Sequence, residues 1–250
     1  MFEIKDRKRA GLILLALFAG GAVPIQIVTL SFGYAQYIRK ISLGPKVIIT
    51  AHEFAKYYIP FVYLPAIIAL IGVTFYCRRH YPDIFRRIVV GLGIGIIATF
   101  SLDFFRQMGV INGWLPGDTP VMFGKMATGS GNFAVYYPAG FLIHFFNGAC
   151  FGIFYTFGWG KRNSYLSAIA WSQFWLFLVE LGMMTAPPMA PMVGMFGYRY
   201  AWPQLFLLTV AAHIAYGITL GILVQYYLKD GDRGGLPSFL KGSTQGVTYE

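Results

Sequence analysis

Six long apolar segments dominate this sequence and limit what the chain can fold into. Each approaches the roughly 20 helical residues that cross a hydrocarbon core of about 30 Å. Only 12% of the residues are charged and 56% are hydrophobic, whereas a soluble domain carries about 25% charged residues. Lipid offers the backbone no hydrogen bonds, and the period-two pattern of a membrane β-strand is missing, so the segments are predicted to be helices. The predicted spans are residues 10–33, 57–77, 88–105, 133–158, 165–186 and 204–228.

The expected architecture is an all-α integral membrane protein, a bundle of about six transmembrane helices that forms a single domain over residues 1–228. The basic run from Lys5 to Arg9 before the first span resembles the start of a signal peptide. We nevertheless expect this segment to be retained as the first membrane helix. Residues 229–250 form a polar C-terminal tail with several glycines, and this composition predicts disorder.

The distribution of Lys and Arg predicts the orientation of the bundle. The N-terminal segment, the connections near residues 78–87 and 161–162 and the C-terminal tail together hold 13 of these residues, against seven on the other side. The more basic side is expected to face the cytoplasm, so both termini are predicted to be cytoplasmic. The protein is then a multi-pass protein of the inner (cytoplasmic) membrane, with the long connections 34–56, 106–132 and 186–203 on its outer side.

The net charge of +10 does not indicate a nucleic-acid-binding protein. The basic residues cluster between apolar runs, as juxtamembrane residues do, and no basic helix interleaved with polar residues occurs. The expected partners are therefore phospholipids and other membrane-protein subunits, and not nucleic acid. The two cysteines, Cys77 and Cys150, form neither a CxxC pair nor a disulfide framework.

One motif occurs twice, in the fourth and sixth predicted helices. The pattern H-x3-G-x3-G begins at His144 and again at His213. Positions i, i+4 and i+8 fall on one stripe of a helix, so each helix is predicted to carry two glycines and a histidine on one face. Both histidines are expected near the bilayer midplane at matched depth. An imidazole there is costly unless it is paired or buried in protein, which makes both residues candidates for a functional site.

Several interpretations of this repeat remain open. The first is close helix packing, in which small residues let the backbones approach and each histidine bonds across the interface. The second is a bis-histidine haem b site, with glycines making room for the macrocycle. The third is a metal site that adds Glu180 or Asp103 to the histidines, and a lipid, quinone, pigment or transport site is a further one. The candidate cofactor-binding residues are His144, His213, Asn147, Tyr216, Gly148 and Gly217.

Two acidic residues lie within or beside the predicted spans. Glu180 is in the fifth helix and is predicted to pair with His144, His213 or Arg106, or to relay protons; a structural hydrogen bond to a neighbouring helix is the simpler interpretation. Asp103 and Arg106 are three residues apart at a helix end, so a local ion pair between them is expected.

No residues are predicted to be catalytic. The sequence contains no HExxH, GxSxG or Walker motif and no Glu-x-x-His pair of the di-iron type. The methionine-rich stretch from Met183 to Met195 is compatible with a Cu(I) site. It is more typical of flexible apolar filling.

The second half of the chain, about residues 130–228, resembles a family of small uncharacterised bacterial polytopic membrane proteins. The resemblance rests on HFxxGxxxGxxY from His144 to Tyr155, a Met- and Gly-rich turn from Gly182 to Gly197, and HxxYGxxLG from His213 to Gly221. That family has no established activity, so the resemblance implies the topology and the paired-helix motif only.

The leading functional hypothesis is a non-catalytic membrane subunit of a larger complex of the respiratory, photosynthetic or membrane-oxidase type, which stabilises the complex and holds a lipid or cofactor. It rests on the missing catalytic motifs and the long outer connections. The first alternative is an electron-transfer subunit with haem b between His144 and His213. The second is a small-molecule or ion transporter, although the matched half-repeats of many transporters are not seen.

Overall fold

The computed structural model describes residues 6–42 and 44–236, which form a bundle of antiparallel helices. Within these residues no β-sheet occurs, only an isolated bridge between Lys161 and Arg233. Two short helices, α4 (Thr119–Thr128) and α7 (Met189–Val193), lie in connections. In the described part of the chain, six helices are long and apolar enough to cross a membrane: α1 (Arg7–Ile38), α2 (Pro45–His80), α3 (Pro82–Ile111), α5 (Phe133–Gly158), α6 (Tyr165–Thr185) and α8 (Gln204–Tyr227). The predicted all-α class is therefore confirmed.

The third span is longer than predicted. The sequence suggested residues 88–105, closed early by Asp103 and Arg106, but α3 runs for 30 residues from Pro82 to Ile111. The two charges do not end the helix because they are paired with each other and with partners inside the protein. Their cost in an apolar setting is offset by these pairs, so the backbone stays helical around them.

The prediction that residues 34–56 form a connection is wrong. The first helix continues to Ile38, and α2 begins at Pro45. At 1.5 Å per residue, the 36 residues of α2 extend over about 54 Å, well beyond an apolar core of about 30 Å. The first turns of α2, which contain His52 and Glu53, therefore project from the spanning region as helix.

Prolines in the first two spans are accommodated by π-helical turns. One such turn, Phe18–Ala22, ends two residues before Pro24, and another, Ile59–Tyr63, contains Pro60. Proline lacks a backbone N–H, and its ring clashes with the preceding turn of an α-helix. A local π turn relieves that clash and keeps the neighbouring backbone groups bonded. The helices therefore continue through their prolines.

Helix α3 lies at the centre of the bundle, with α5 on one side and α8 on the other. Against α5 the approach is at backbone distance, because a Cβ added at Gly91, Gly95, Gly148 or Gly152 would overlap atoms of the opposite helix. Small residues at such crossings are the usual means of close packing between membrane helices. Helix α8 packs on α6 as well, and α4 packs on α5.

The bundle has a tail end, where residues 6–9 and 229–236 lie, and a loop end, where the long connections lie. At the tail end, the guanidinium of the fully buried Arg87 donates to the carbonyl oxygens of Thr156 (2.7 Å), Asp232 (2.7 Å) and Gly234 (3.1 Å). At the loop end, Gln36 donates to the carbonyl of Pro188, and Tyr200 to that of Gly113.

The first part of the polar tail is folded against the bundle. Residues 229–236, here called the strap, bond to Lys161 through backbone groups of Asp232 and Gly234, and Asp232 is 1% exposed. Burial raises the pKa of the Asp232 carboxyl, although Arg86 lies 3.3 Å away and opposes this. The predicted disorder is thus wrong for residues 229–236, because Arg87 binds their carbonyl groups; residues 237–250 lie outside the described part.

Candidate functional site

A carboxylate on α3 joins a histidine of α5 to an arginine. His144 donates from Nε2 to Asp103 Oδ1 (2.7 Å), and Arg106 donates from Nε to the same oxygen (2.8 Å). Arg106 also pairs with Asp118, which precedes α4. Arg106 is 5% exposed and His144 9%. The predicted Asp103–Arg106 pair is confirmed, and it is part of a larger buried cluster.

A second buried pair links α6 to α8. His213 Nδ1 lies 2.7 Å from Glu180 Oε2 and 2.8 Å from the carbonyl oxygen of Thr209. The Nδ1–H is aligned with the carbonyl, so Glu180 sits beside the ring at ion-pair distance. Neither Glu180 oxygen has an aligned hydrogen bond within the described residues. Burial of a carboxylate is costly unless a polar group faces it, and the His213 ring is the group that faces Glu180.

His144 therefore bonds across a helix interface, as the packing interpretation predicted, whereas His213 bonds within its own helix and faces Glu180 of α6 at ion-pair distance. Of the partners considered for Glu180, His213 is the one that lies beside it. The carboxylate beside His144 is that of Asp103. At 1.5 Å per residue, His144 lies about 16 Å and His213 about 14 Å along their helices from the loop end. The two imidazoles are thus at matched depth within the spanning region.

The two histidines share one cavity. It has a volume of about 560 Å³ and extends from the middle of the bundle towards the connections at the loop end. Its walls are mostly apolar, as in many small-molecule sites, with a few polar groups among them. The polar lining residues are Gln26, Thr29, Thr99, Arg106, Thr119, His144, Asn147, Thr209, His213 and Tyr216.

Five of the six residues predicted for the site line this cavity: His144, Asn147, Gly148, His213 and Tyr216. Tyr216 joins the two helices, because its hydroxyl donates to the carbonyl of Gly148 (2.6 Å). Asn147 differs from its neighbours. It is 9% exposed, and its Oδ1 has no hydrogen-bond partner within the described residues. A buried, unsatisfied acceptor of this kind costs about 1–3 kcal/mol.

The prediction needs correction for Gly217, which does not line the cavity. A Cβ there would meet the side chain of Gln173 on α6, at 2.6 Å from Nε2. Gly221 likewise faces α6, next to Ser172. The two glycine stripes therefore serve different contacts, since that of α5 packs on α3 and that of α8 packs on α6. They do not open room for a macrocycle between the histidines.

The proposed three-ligand metal site is not assembled. The described residues contain no group of three or more His, Cys, Asp or Glu side chains placed to hold one ion. The pairing explains this, since Asp103 of α3 pairs with His144 of α5, whereas Glu180 of α6 pairs with His213 of α8.

Four methionines of the methionine-rich stretch pack in one apolar cluster, and two of them also line the cavity. Met184 is fully buried and packs with Val193 and Leu205, and Met192 lies against the same cluster. Met183 and Met189 line the cavity. This arrangement is what flexible apolar filling predicts.

Six polar lining residues were not predicted from the sequence, namely Gln26, Thr29, Thr99, Arg106, Thr119 and Thr209. Arg106 and Thr119 were assigned to an outer connection, and Gln26 was passed over. The available signal for Gln26 was its position as a lone polar residue in an apolar segment. A polar side chain within a membrane span is costly and usually has a function. Thr119 carried no comparable signal.

The fold and cavity define an all-helical, multi-pass membrane protein with buried ionisable pairs around an internal cavity. Comparisons with protein-family models, with curated proteins and with solved structures find no match to this chain.

Proposed function

We propose that the protein is an integral membrane subunit that holds a small amphiphilic molecule in the cavity between α5 and α8. The observation that carries this proposal is the side chain of Asn147, which lines the cavity and whose buried Oδ1 has no hydrogen-bond partner among the described residues. Nearly all buried polar groups in proteins have a hydrogen-bond partner. A bound molecule with a donor group supplies the one that Asn147 lacks.

The shape of the cavity favours a molecule that comes from the bilayer. Gln26 on α1 and Leu178 and Gly182 on α6 line the cavity and are also exposed. The cavity thus reaches the side of the bundle between α1 and α6, within the spanning region. An apolar tail in this opening stays in contact with lipid while a polar head group lies near the histidines.

The subunit role extends the same proposal. In the most apolar stretches of α2 and α6, only 22% of the residues are buried within the chain. Their outward faces are available to lipid and to helices of a partner subunit in a respiratory, photosynthetic or oxidase complex. Extraction in a mild detergent tests this part, because a complex larger than the single chain is expected. Quantitative recovery as a monomer contradicts it.

The proposal also includes the orientation of the bundle in the membrane. The excess of Lys and Arg at the tail end supports a cytoplasmic location for both termini and insertion in the inner membrane. The loop end, towards which the cavity extends, then faces outwards.

The haem b alternative has less support. An axial histidine normally binds iron through one ring nitrogen and bonds to a backbone or carboxylate group through the other. Each histidine has one ring nitrogen engaged in this way and the other free. The glycine stripes, however, are filled by neighbouring helices and leave no room for a macrocycle. A Soret band in the purified protein would revive this alternative.

Retention of the bound molecule tests the binding role. Ala212 lines the cavity and is 6% exposed, so Ala212→Phe is expected to fill part of the space. Ile214, two residues away, is 45% exposed, and Ile214→Phe is the matched control. We expect mass spectrometry of organic extracts to find an amphiphile enriched in the unaltered protein and in Ile214→Phe, and largely lost in Ala212→Phe. Equal extracts from all three folded proteins would contradict the proposal; Ala212→Leu replaces the variant if Phe prevents folding.

A further inference from the structure

The hydrogen bonds of the two histidines determine what each ring offers to a ligand. The partner of His144 Nε2 is a carboxylate, and the partners of His213 Nδ1 are a carboxylate and a carbonyl. All are acceptors, so these nitrogens carry the protons. In the neutral rings, His144 Nδ1 and His213 Nε2 are then acceptors, and within the described residues neither has a hydrogen-bond partner. Both rings line the cavity.

Asn147 adds a third acceptor at one end of the same site. It lies three residues after His144 on α5, so the two side chains share a face of the helix. Its Oδ1 is the unsatisfied acceptor described above. The polar lining therefore has one acceptor group on α5, made of His144 and Asn147, and another on α8, made of His213. Helix α3 packs on both helices.

The aromatic part of the cavity wall favours a ligand with a planar ring. Phe123, Phe151 and Trp175 line the cavity. Trp175 is held in place, because its Nε1 donates to the carbonyl of Phe151 (3.2 Å). Aromatic side chains favour offset or edge contacts with other rings. An aromatic head group therefore fits these walls better than a branched polar one.

We propose that the ligand is a lipid-tailed aromatic diol, that is, a molecule with a quinol-type head. This inference rests on the proposed binding function and specifies the ligand class. One hydroxyl donates to the His144–Asn147 group on α5, and the other donates to His213 on α8. The tail leaves between α1 and α6, past Leu178 and Gly182. Asp103 and the carbonyl of Thr209, behind the rings, keep the proton on the far nitrogen of each imidazole, so the near nitrogen is free to accept.

A series of three ligands on the unaltered chain tests this inference. The probes are a decyl-substituted benzoquinol, its monomethyl ether and its dimethyl ether, titrated by calorimetry into the full chain in lipid nanodiscs under inert gas. Each methylation removes one donor and keeps the ring and tail. A lost hydrogen bond of about 1.4 kcal/mol corresponds to a tenfold change in affinity. We therefore expect binding about tenfold weaker for the monomethyl ether and weaker again for the dimethyl ether.

A matched pair of variants tests whether Asn147 makes one of the lost hydrogen bonds. Asn147→Leu is expected to weaken binding of the quinol about tenfold and to leave the dimethyl ether unchanged. Asn163→Leu, in the exposed turn before α6, is expected to change neither.

The outcomes separate this inference from the proposed function. Equal affinity for the three probes overturns the quinol-type head but leaves an amphiphile site in place. Failure of all three to bind also overturns it, and the extraction experiment then decides on the binding function independently. Equal effects of Asn147→Leu on the quinol and on the dimethyl ether would likewise contradict the assigned contact.

Discussion

Gly93 and Gly95 lie two positions apart on α3 but in very different surroundings. A Cβ at Gly95 would overlap the backbone of Gly148 and approach Ala149 Cα to 2.7 Å, whereas nothing lies within 4 Å of one at Gly93. Overpacking at a fixed contact typically costs 1–3 kcal/mol. We therefore expect Gly95→Ala to lower the free energy of unfolding by about that amount, measured by denaturant titration in micelles.

The control for this prediction is Gly93→Ala, on the same helix. Ala is the better helix former by up to about 1 kcal/mol, so no destabilisation is expected there. Equal losses of stability in the two variants would mean that α3 and α5 do not meet at backbone distance.

The site could be predicted from the sequence only in part. The two histidines and Asn147, Gly148 and Tyr216 follow from a repeated motif, because periodicity along one helix is visible in the sequence. Which carboxylate pairs with which imidazole could not be predicted. That choice depends on how α3, α5, α6 and α8 are rotated about their axes, and single-sequence hydrophobicity is too uniform around these helices to fix it.

The strap, residues 229–236, depends on one arginine of α3. Arg87 donates to three carbonyl oxygens, two of them in the strap. Hydrogen bonds to a charged group contribute more than neutral ones, and loss of a buried charged partner is costly. We expect Arg87→Gln to destabilise the protein by roughly 2–4 kcal/mol and to release the strap, measured by amide hydrogen exchange of Asp232 to Gly234.

Arg79→Gln provides the comparison, since Arg79 is exposed at the same end of the bundle. Its exchange pattern is expected to match that of the unaltered protein. Undiminished protection of the strap in Arg87→Gln would show that other contacts hold it.

The elements themselves were predictable where apolar residues continue to the end of a helix. The spans 133–158, 165–186 and 204–228 match α5, α6 and α8 within one residue at each end. The first three spans were underestimated. His52 was placed in a connection and Arg106 was taken as a helix end. Paired charges and a helix that projects from the membrane both allow such polar residues in a continuing helix.

The orientation of the whole molecule is tested by labelling in intact cells. In a background with Cys77→Ser and Cys150→Ser, Gly131→Cys places a thiol at the loop end and Asn163→Cys at the tail end, both exposed. We expect a membrane-impermeant maleimide to label residue 131 in intact cells and residue 163 only after permeabilisation. The reverse pattern would invert the topology proposed from the Lys and Arg distribution.

Across the whole molecule, the buried ionisable pairs, the unsatisfied asparagine and the lateral opening meet at one cavity. The most direct test is a cryo-electron microscopy map of the full chain in nanodiscs, bound to an antibody fragment. We predict elongated non-protein density that contacts Asn147 between His144 and His213 and leaves between α1 and α6. A cavity closed by side chains, or one that holds only isolated water peaks, would contradict the claim that this bundle is built around a bound amphiphile.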